Sequence, residues 1–228
     1  MRRLAALAVV AVLSAACGDD DAAPVATATT PRPTTSTSSA PAPFASAVET
    51  VTAEDLHASW RTGCPLPVEE LRLLRLPHWG FDGAVHDGTI VVADDVADDV
   101  IAIFGELYEA RYPIEKMEPV DAYGGSDEAS TAANNTSAFN CRRATGGAGW
   151  SEHAFGRAID LNPLQNPYVR GDTVLPPQSA RYLDRSLTDT GVIHEGDAAV
   201  TAFTARGWVW GGTWTTLKDY QHFSPSGR

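Results

Sequence analysis

Between residues 96 and 111 the apolar positions Val96, Val100, Ile103, Phe104, Leu107 and Tyr108 recur at helical spacing, and Asp94 and Asp95 stand ahead of them as a helix start. The spacing predicts one amphipathic helix, ended by Pro113. Upstream, Trp60, Leu66, Leu71, Leu73, Leu74 and Leu76 are the first apolar anchors of a core. Residues 85–92 place Asp87-Gly88 between two short β-prone runs, the pattern of a hairpin turning at that pair. Residues 114–120 read as extended, and the polar, glycine-containing stretch 123–136 reads as a long loop of the kind that often carries function.

Further along, residues 157–161 suit a strand that leads into a turn at Asn162-Pro163. A second short helix is expected over 197–206, capped by Asp197 and stopped by Gly207, followed by a buried strand at Trp208-Val209-Trp210. Strands and helices do not alternate as parallel βαβ units would. The pattern therefore predicts a single α+β domain, a small antiparallel sheet flanked by helices.

The first quarter of the chain has another composition. Arg2 and Arg3 precede an apolar run from Leu4 to Leu13, and Ser14-Ala15-Ala16 then leads to Cys17, the three parts of an export signal. The run is too short for a good membrane-spanning helix, which needs roughly 20 apolar residues. A small-residue run ending in cysteine resembles the bacterial lipobox, with Ser14 where a leucine is usual, and this implies lipidation of Cys17. Plain secretion is the alternative. Residues 1–16 are then the signal peptide, 17–46 a linker rich in Ala, Thr, Pro and Ser, and 47–228 the folded domain. As a coil, a linker of about 28 residues spans roughly 30 Å, and stiffened by proline it reaches toward ~90 Å.

Charge narrows the partners. The formal charge is −12, and loss of Arg2 and Arg3 with the signal leaves 15 basic against 29 acidic residues. Nucleic acid is excluded as a natural partner, and attachment to a membrane would rest on acyl chains at Cys17. With Cys17 modified, Cys64 and Cys141 remain as an even pair in an oxidising compartment, so a disulfide between them is expected. A monomer is expected.

Two segments carry the chemistry. Ser151-Glu152-His153-Ala154-Phe155-Gly156-Arg157-Ala158-Ile159-Asp160 and Asp219-Tyr220-Gln221-His222-Phe223 each hold one imidazole and at least one carboxylate. Two nitrogen donors and one carboxylate, His153, His222 and Asp160, match a catalytic zinc site that leaves a fourth position to water. Asp219, three residues before His222, is within reach of such a water and is the natural general base. His57, His78, His86 and His194 have no partner at ligand spacing and read as structural.

These residues resemble the zinc D-Ala-D-Ala metallopeptidases, which include VanY-like carboxypeptidases and L-alanyl-D-glutamate endopeptidases. The family pattern Ser-x-His-x-x-Gly-x-Ala-x-Asp is met by Ser151, His153, Gly156, Ala158 and Asp160, and its distal acid-x-x-His element by Asp219 and His222. Trp210-Gly211-Gly212-Thr213-Trp214 is similar to the endopeptidase branch. The resemblance implies a fold like that of these peptidases and of hedgehog domains, zinc held by His153, Asp160 and His222, and Asp219 as base. It implies hydrolysis of peptidoglycan stem peptides, as carboxypeptidase or endopeptidase. A wall-binding or signalling module with a structural zinc is the alternative.

The family's Ser-x-Arg followed by Gln is not found in that form; Asn140-Cys141-Arg142-Arg143 occupies the region. Arg142 is the candidate for a substrate carboxylate or a developing oxyanion, with Arg143 equally eligible. Ser151 and Trp214 complete the candidate substrate contacts, Ser151 through hydrogen bonding and Trp214 as cleft wall.

Overall fold

The computed structural model describes residues 42–228. The signal, Cys17 and all but the last residues of the linker lie outside the described residues. In chain order the elements are β1 (Ala47–Thr50), β2 (Leu71–Trp79), β3 (Val85–Ala93), α1 (Ala97–Glu109), β4 (Lys116–Met117), α2 (Asp127–Ala132), β5 (Asn135–Thr136) and β6 (Ile159–Asp160). They continue with β7 (Tyr168–Arg170), β8 (Thr173–Leu175), α3 (Ala198–Thr204), β9 (Val209–Trp210), β10 (Lys218–Asp219) and β11 (His222–Ser224). Three antiparallel three-stranded sheets form, ordered β1-β2-β3, β10-β7-β8 and β6-β11-β9, with a parallel pair β4-β5. The fold class is α+β, with several small sheets where one was expected.

The helix read from apolar spacing is α1, and Val100, Ile103, Phe104, Leu107 and Tyr108 are its buried face. Val100, Ile103, Phe104 and Leu107 join Leu71, Leu74 and Leu76 of β2 and Ile90 and Val92 of β3 in one core. The hairpin exists, but its turn is elsewhere. Asp87 and Gly88 lie inside β3, paired with Pro77 and Leu76. The chain reverses instead between Gly80 and Ala84, closed by the Gly80 N–H donating to Ala84 O at 2.7 Å, with Asp82 Oδ1 accepting from the Ala84 N–H. A two-residue turn at Asp87-Gly88 would have left Leu71, Leu74 and Leu76 without the ladder that buries them.

Two other expectations need correction. Residues 123–136 are not simply a loop, because they contain α2 and β5. Ser126 caps α2 by accepting from the Ala129 N–H, a short helix-start signal that polarity and glycine content obscured. The extended stretch 114–120 contributes only the two residues of β4. By contrast, α3 starts where Asp197 accepts from the Val200 N–H, and buried Trp208 and Trp210 follow it as read. Phe203 of α3 stacks on Phe223 of β11 at 4.0 Å, so the helix braces the strand that carries His222.

Cys64 and Cys141 are joined, with Cα atoms 5.8 Å apart across 77 positions. The bridge fastens residues 56–64 beside the strand-like stretch that runs from Asn135 to Arg142. Asp121 reinforces the same corner by accepting from the Ala58 and Ser59 N–H groups, and the Arg61 guanidinium donates to Cys141 O at 2.8 Å. Replacing both cysteines by serine should lower stability by about 2–5 kcal/mol, since so long a loop is released in the unfolded chain. Urea unfolding of the two proteins checks this, and equal midpoints would show that Asp121 and Arg61 hold the corner unaided.

Candidate active site

The first motif folds as a single 3-10 turn, Glu152–Phe155, followed by the strand β6. Ser151 starts the turn, its hydroxyl accepting from the His153 N–H at 3.3 Å. Gly156 ends it at φ 63°, and a Cβ there would stand 2.6 Å from the Ala93 nitrogen. That absence of a side chain lets Gly156 O accept from the Ala93 N–H, docking the turn on the end of β3. The motif's serine and glycine therefore set the position of His153.

Asp160 arrives by pairing. In the antiparallel ladder of β6 with β11, Asp160 stands directly opposite His222. Ser137 clamps Asp160 from the other side, through Asp160 N–H to Ser137 O at 2.9 Å and Ser137 N–H to Asp160 O at 3.1 Å. The same stretch orients His153, whose Nδ1–H donates to Ala138 O at 2.6 Å. His222 is oriented likewise, Nε2–H donating to Arg228 O at 3.0 Å. Each imidazole thus has its outer nitrogen engaged by a backbone carbonyl, and its inner nitrogen faces Asp160.

The three groups converge. His153 Nε2 is 3.1 Å from Asp160 Oδ2, His222 Nδ1 is 3.0 Å from Asp160 Oδ1, and the two nitrogens are 3.3 Å apart. The residues are 3 %, 4 % and 5 % exposed for His153, Asp160 and His222. An ionised carboxylate so buried demands a positive partner. Burial pulls the Asp160 carboxyl upward, but the adjoining imidazoles, His153 foremost, outweigh it and hold the group well below the usual carboxylate range. Burial works to lower the His222 proton affinity, while the hydrogen bond and charge of Asp160 raise it on balance. A divalent cation meets the same demand. Corners ~2.0–2.1 Å from a tetrahedral centre lie ~3.3–3.4 Å apart, close to the observed edges of 3.0 to 3.3 Å. The donor set, its inward lone pairs and its spacing all fit zinc.

Among the described residues this is the one group of three potential metal donors within 4.8 Å of one another. His57, His86 and His194 sit in local contacts with Glu54 O, Asp82 and Leu187 O, and His78 is buried beside the His86 ring.

Asp219 lies on β10 opposite Tyr168 of β7 and lines the cavity of about 300 Å³ that His153 and His222 also line. A Cβ on Gly211 would meet Asp219 O at 2.5 Å, so the Trp210-Gly211 run lets its backbone pass against that of Asp219. The carboxylate oxygen Oδ1 is closed off from solvent without a hydrogen-bond partner. Burial, and then the negative charge of Asp160, push the Asp219 carboxyl up to about 7, against the pull of His222 and Arg142. A carboxyl that exchanges its proton near neutrality suits general acid and base work.

Arg142 lines the same cavity, its Nε 2.8 Å from Asp127 Oδ1 as an ion pair. Arg143 does not share that position. Its guanidinium covers the Trp150 ring at 3.9 Å and donates to Ala148 O, because the Arg143–Trp150 bridge turns the two side chains onto one another, and Arg143 is not among the residues that line the cavity. Trp214 stands on the cavity wall with its ring 5.4 Å from that of His222, and Ser151 lines it too while capping the turn. Tyr168, Trp150 and Gln221 border the site without having been picked out from the sequence as functional. Strands of two and three residues leave too little pattern to foretell that β7 pairs with β10.

Residues 145–225 match the family model described as D-alanyl-D-alanine carboxypeptidase. Over these residues the chain is similar to that family. The resemblance drawn from the motifs holds over this stretch, which contains His153, Asp160, Asp219 and His222; Arg142 precedes it. No curated protein and no solved structure gave a match.

The Asp219 environment has a measurable cost. A carboxyl raised from 3.8 to about 7 in the fold stays protonated longer in the native than in the unfolded chain. The stability of its neutral form is whole below pH about 4 and is lost as pH rises toward 7. In chelator at pH 7.5, Asp219→Asn should therefore be more stable than the parent by ~1–4 kcal/mol, with little difference at pH 4. Urea unfolding at both pH values reads this, and no gain at pH 7.5 would contradict the burial argument.

Proposed function

We propose that the protein hydrolyses a peptide bond in the stem peptides of peptidoglycan, at D-Ala-D-Ala as a carboxypeptidase or at L-Ala-D-Glu as an endopeptidase. The observation that carries this reading is the pair of imidazoles whose outer nitrogens are taken by Ala138 O and Arg228 O, lining one cavity with Asp219. His153, Asp160 and His222 would hold zinc, which when bound supplies an acidified water and polarises the scissile carbonyl.

Asp219 takes a proton from the attacking water and returns it to the leaving amine. Its place on the wall of the cavity that His153 and His222 also line supports that role. Arg142 faces the negative charge that builds on the carbonyl oxygen, or a carboxylate of the substrate. Trp214 flanks His222 and excludes water from that side. Ser151 serves by fixing His153 through the turn it caps.

The same reading has the protein act outside the cytoplasm as a monomer, lipid-anchored through Cys17 or secreted, with no nucleic-acid partner. No helix among the described residues is long and apolar enough to cross a membrane.

Purified protein incubated with muropeptides should release products that mass spectrometry assigns to one of the two bonds. Asp219→Ala should lower turnover by about 10²–10⁴-fold while zinc content stays at one per chain, whereas His153→Ala should lose both. Undiminished cleavage by Asp219→Ala would remove it as the base, and failure of the parent protein to cut any stem peptide would remove the function.

A further inference from the structure

Successive side chains of a strand alternate, so β11 puts His222 and Ser224 on one face and Phe223 on the other. Phe223 packs into the core against Phe203. Ser224, on the His222 side, is fully buried, and a hydroxyl shut away from water needs partners within the protein. The residues that follow it in the chain supply them.

Ser224-Pro225-Ser226-Gly227 has the composition of a type I turn, with serine first, proline second and glycine fourth. The Gly227 N–H donates to Ser224 O at 3.3 Å, the bond that closes such a turn. Gly227 itself stands at φ 71°, a left-handed conformation that glycine adopts without a Cβ clash. The turn brings Arg228 back to the strand. There the Ser224 hydroxyl donates to Arg228 O at 2.9 Å and accepts from the Arg228 N–H at 3.2 Å, so one side chain grips both polar groups of that main chain. His222 Nε2–H donates to the same Arg228 oxygen at 3.0 Å, which engages both of its lone pairs.

The consequence lies in the imidazole. A proton held at Nε2 leaves the lone pair at Nδ1, the nitrogen 3.0 Å from Asp160 Oδ1. His153 takes its orientation from Ala138 O, in a stretch that also pairs with Asp160 and β3. His222 depends instead on a turn whose Pro225, Ser226 and Arg228 are exposed, and Ser224 is the buried group that ties this turn down. We propose that Ser224 is a positioning residue of the metal centre, which by gripping the main chain of Arg228 fixes the His222 ring with Nδ1 toward the cation. This role rests on the reading of His222 as a metal ligand, and it gives Ser224 no contact with metal or substrate.

Two measurements test it on the parent protein, Ser224→Ala and Gly227→Ala: zinc affinity by competition with a chromophoric chelator, and solvent exchange of the His222 Nε2 proton by NMR. The first variant removes the hydroxyl, and the second keeps it but strains the turn. Both should bind zinc about 10–100-fold more weakly. In both, the Nε2 proton, slow to exchange in the parent, should exchange faster with zinc bound and without it. A serine that only filled space in the core would leave that proton protected. Should Ser224→Ala not fold, Gly227→Ala carries the same comparison. Zinc affinity equal to the parent's, or an Nε2 proton that stays protected, overturns the role of Ser224 even if the parent binds zinc and cuts stem peptides. A parent that takes up no zinc, but whose Nε2 proton is released by Ser224→Ala, supports the grip on the ring and removes the metal reading.

Discussion

A carboxylate shut away from water with an imidazole against each of its oxygens is the constraint that the rest of this structure serves. Asp160 can remain ionised at 4 % exposure only if positive charge stands beside it. Its two neighbours are held so that their inner nitrogens can accept a cation or carry a proton, and in either state they answer the carboxylate. The ladder of β6 with β11 supplies the geometry, because residues directly opposite in an antiparallel pair have neighbouring side chains, and Asp160 is opposite His222. His153 comes from a separate turn and is brought in by Ala138 O.

The stretch from Asn135 to Arg142 is the scaffold of that centre. It pairs with Asp160 through Ser137, with His153 through Ala138 O and through Asn140 N–H to His153 O, and with β3 through Phe139 N–H to Val91 O. At its end the Cys64–Cys141 disulfide anchors the chain one residue before Arg142. Phe203 on Phe223 holds the His222 strand from behind. The candidate ligands are thus mounted on short, irregular elements, and rigidity comes from hydrogen bonds and packing that join those elements to the β2–β3–α1 core. Asp219, with a closed-off and unpartnered oxygen, is the place where the fold gives up stability for reactivity.

Amphipathic spacing was legible because α1 is long enough for its buried face to repeat, and Asp197 and Gly207 bounded α3 by their own hydrogen-bonding and backbone preferences. The hairpin was recognised with its turn misplaced. Asp87-Gly88 has the composition of a tight turn, but the nine-pair ladder that buries Leu71, Leu74 and Leu76 extends past it to Trp79 and Val85. Local turn preference is small beside the burial of three leucines. The helix α2 was hidden inside a polar stretch whose only clear signal was the Ser126 cap.

By itself, the sequence determined the donor types, the motif spacing around His153 and Asp160, the carboxylate near His222 and the even pair of cysteines, since these depend on residue identity and on short-range order. Only the tertiary structure decided which side chains meet. It turned Arg142 toward the cleft and Arg143 onto Trp150, brought Tyr168 opposite Asp219, and returned Arg228 O to the His222 ring. Strands of two or three residues carry almost no periodic signal, so their partners are chosen by packing at long range, which a linear pattern does not record.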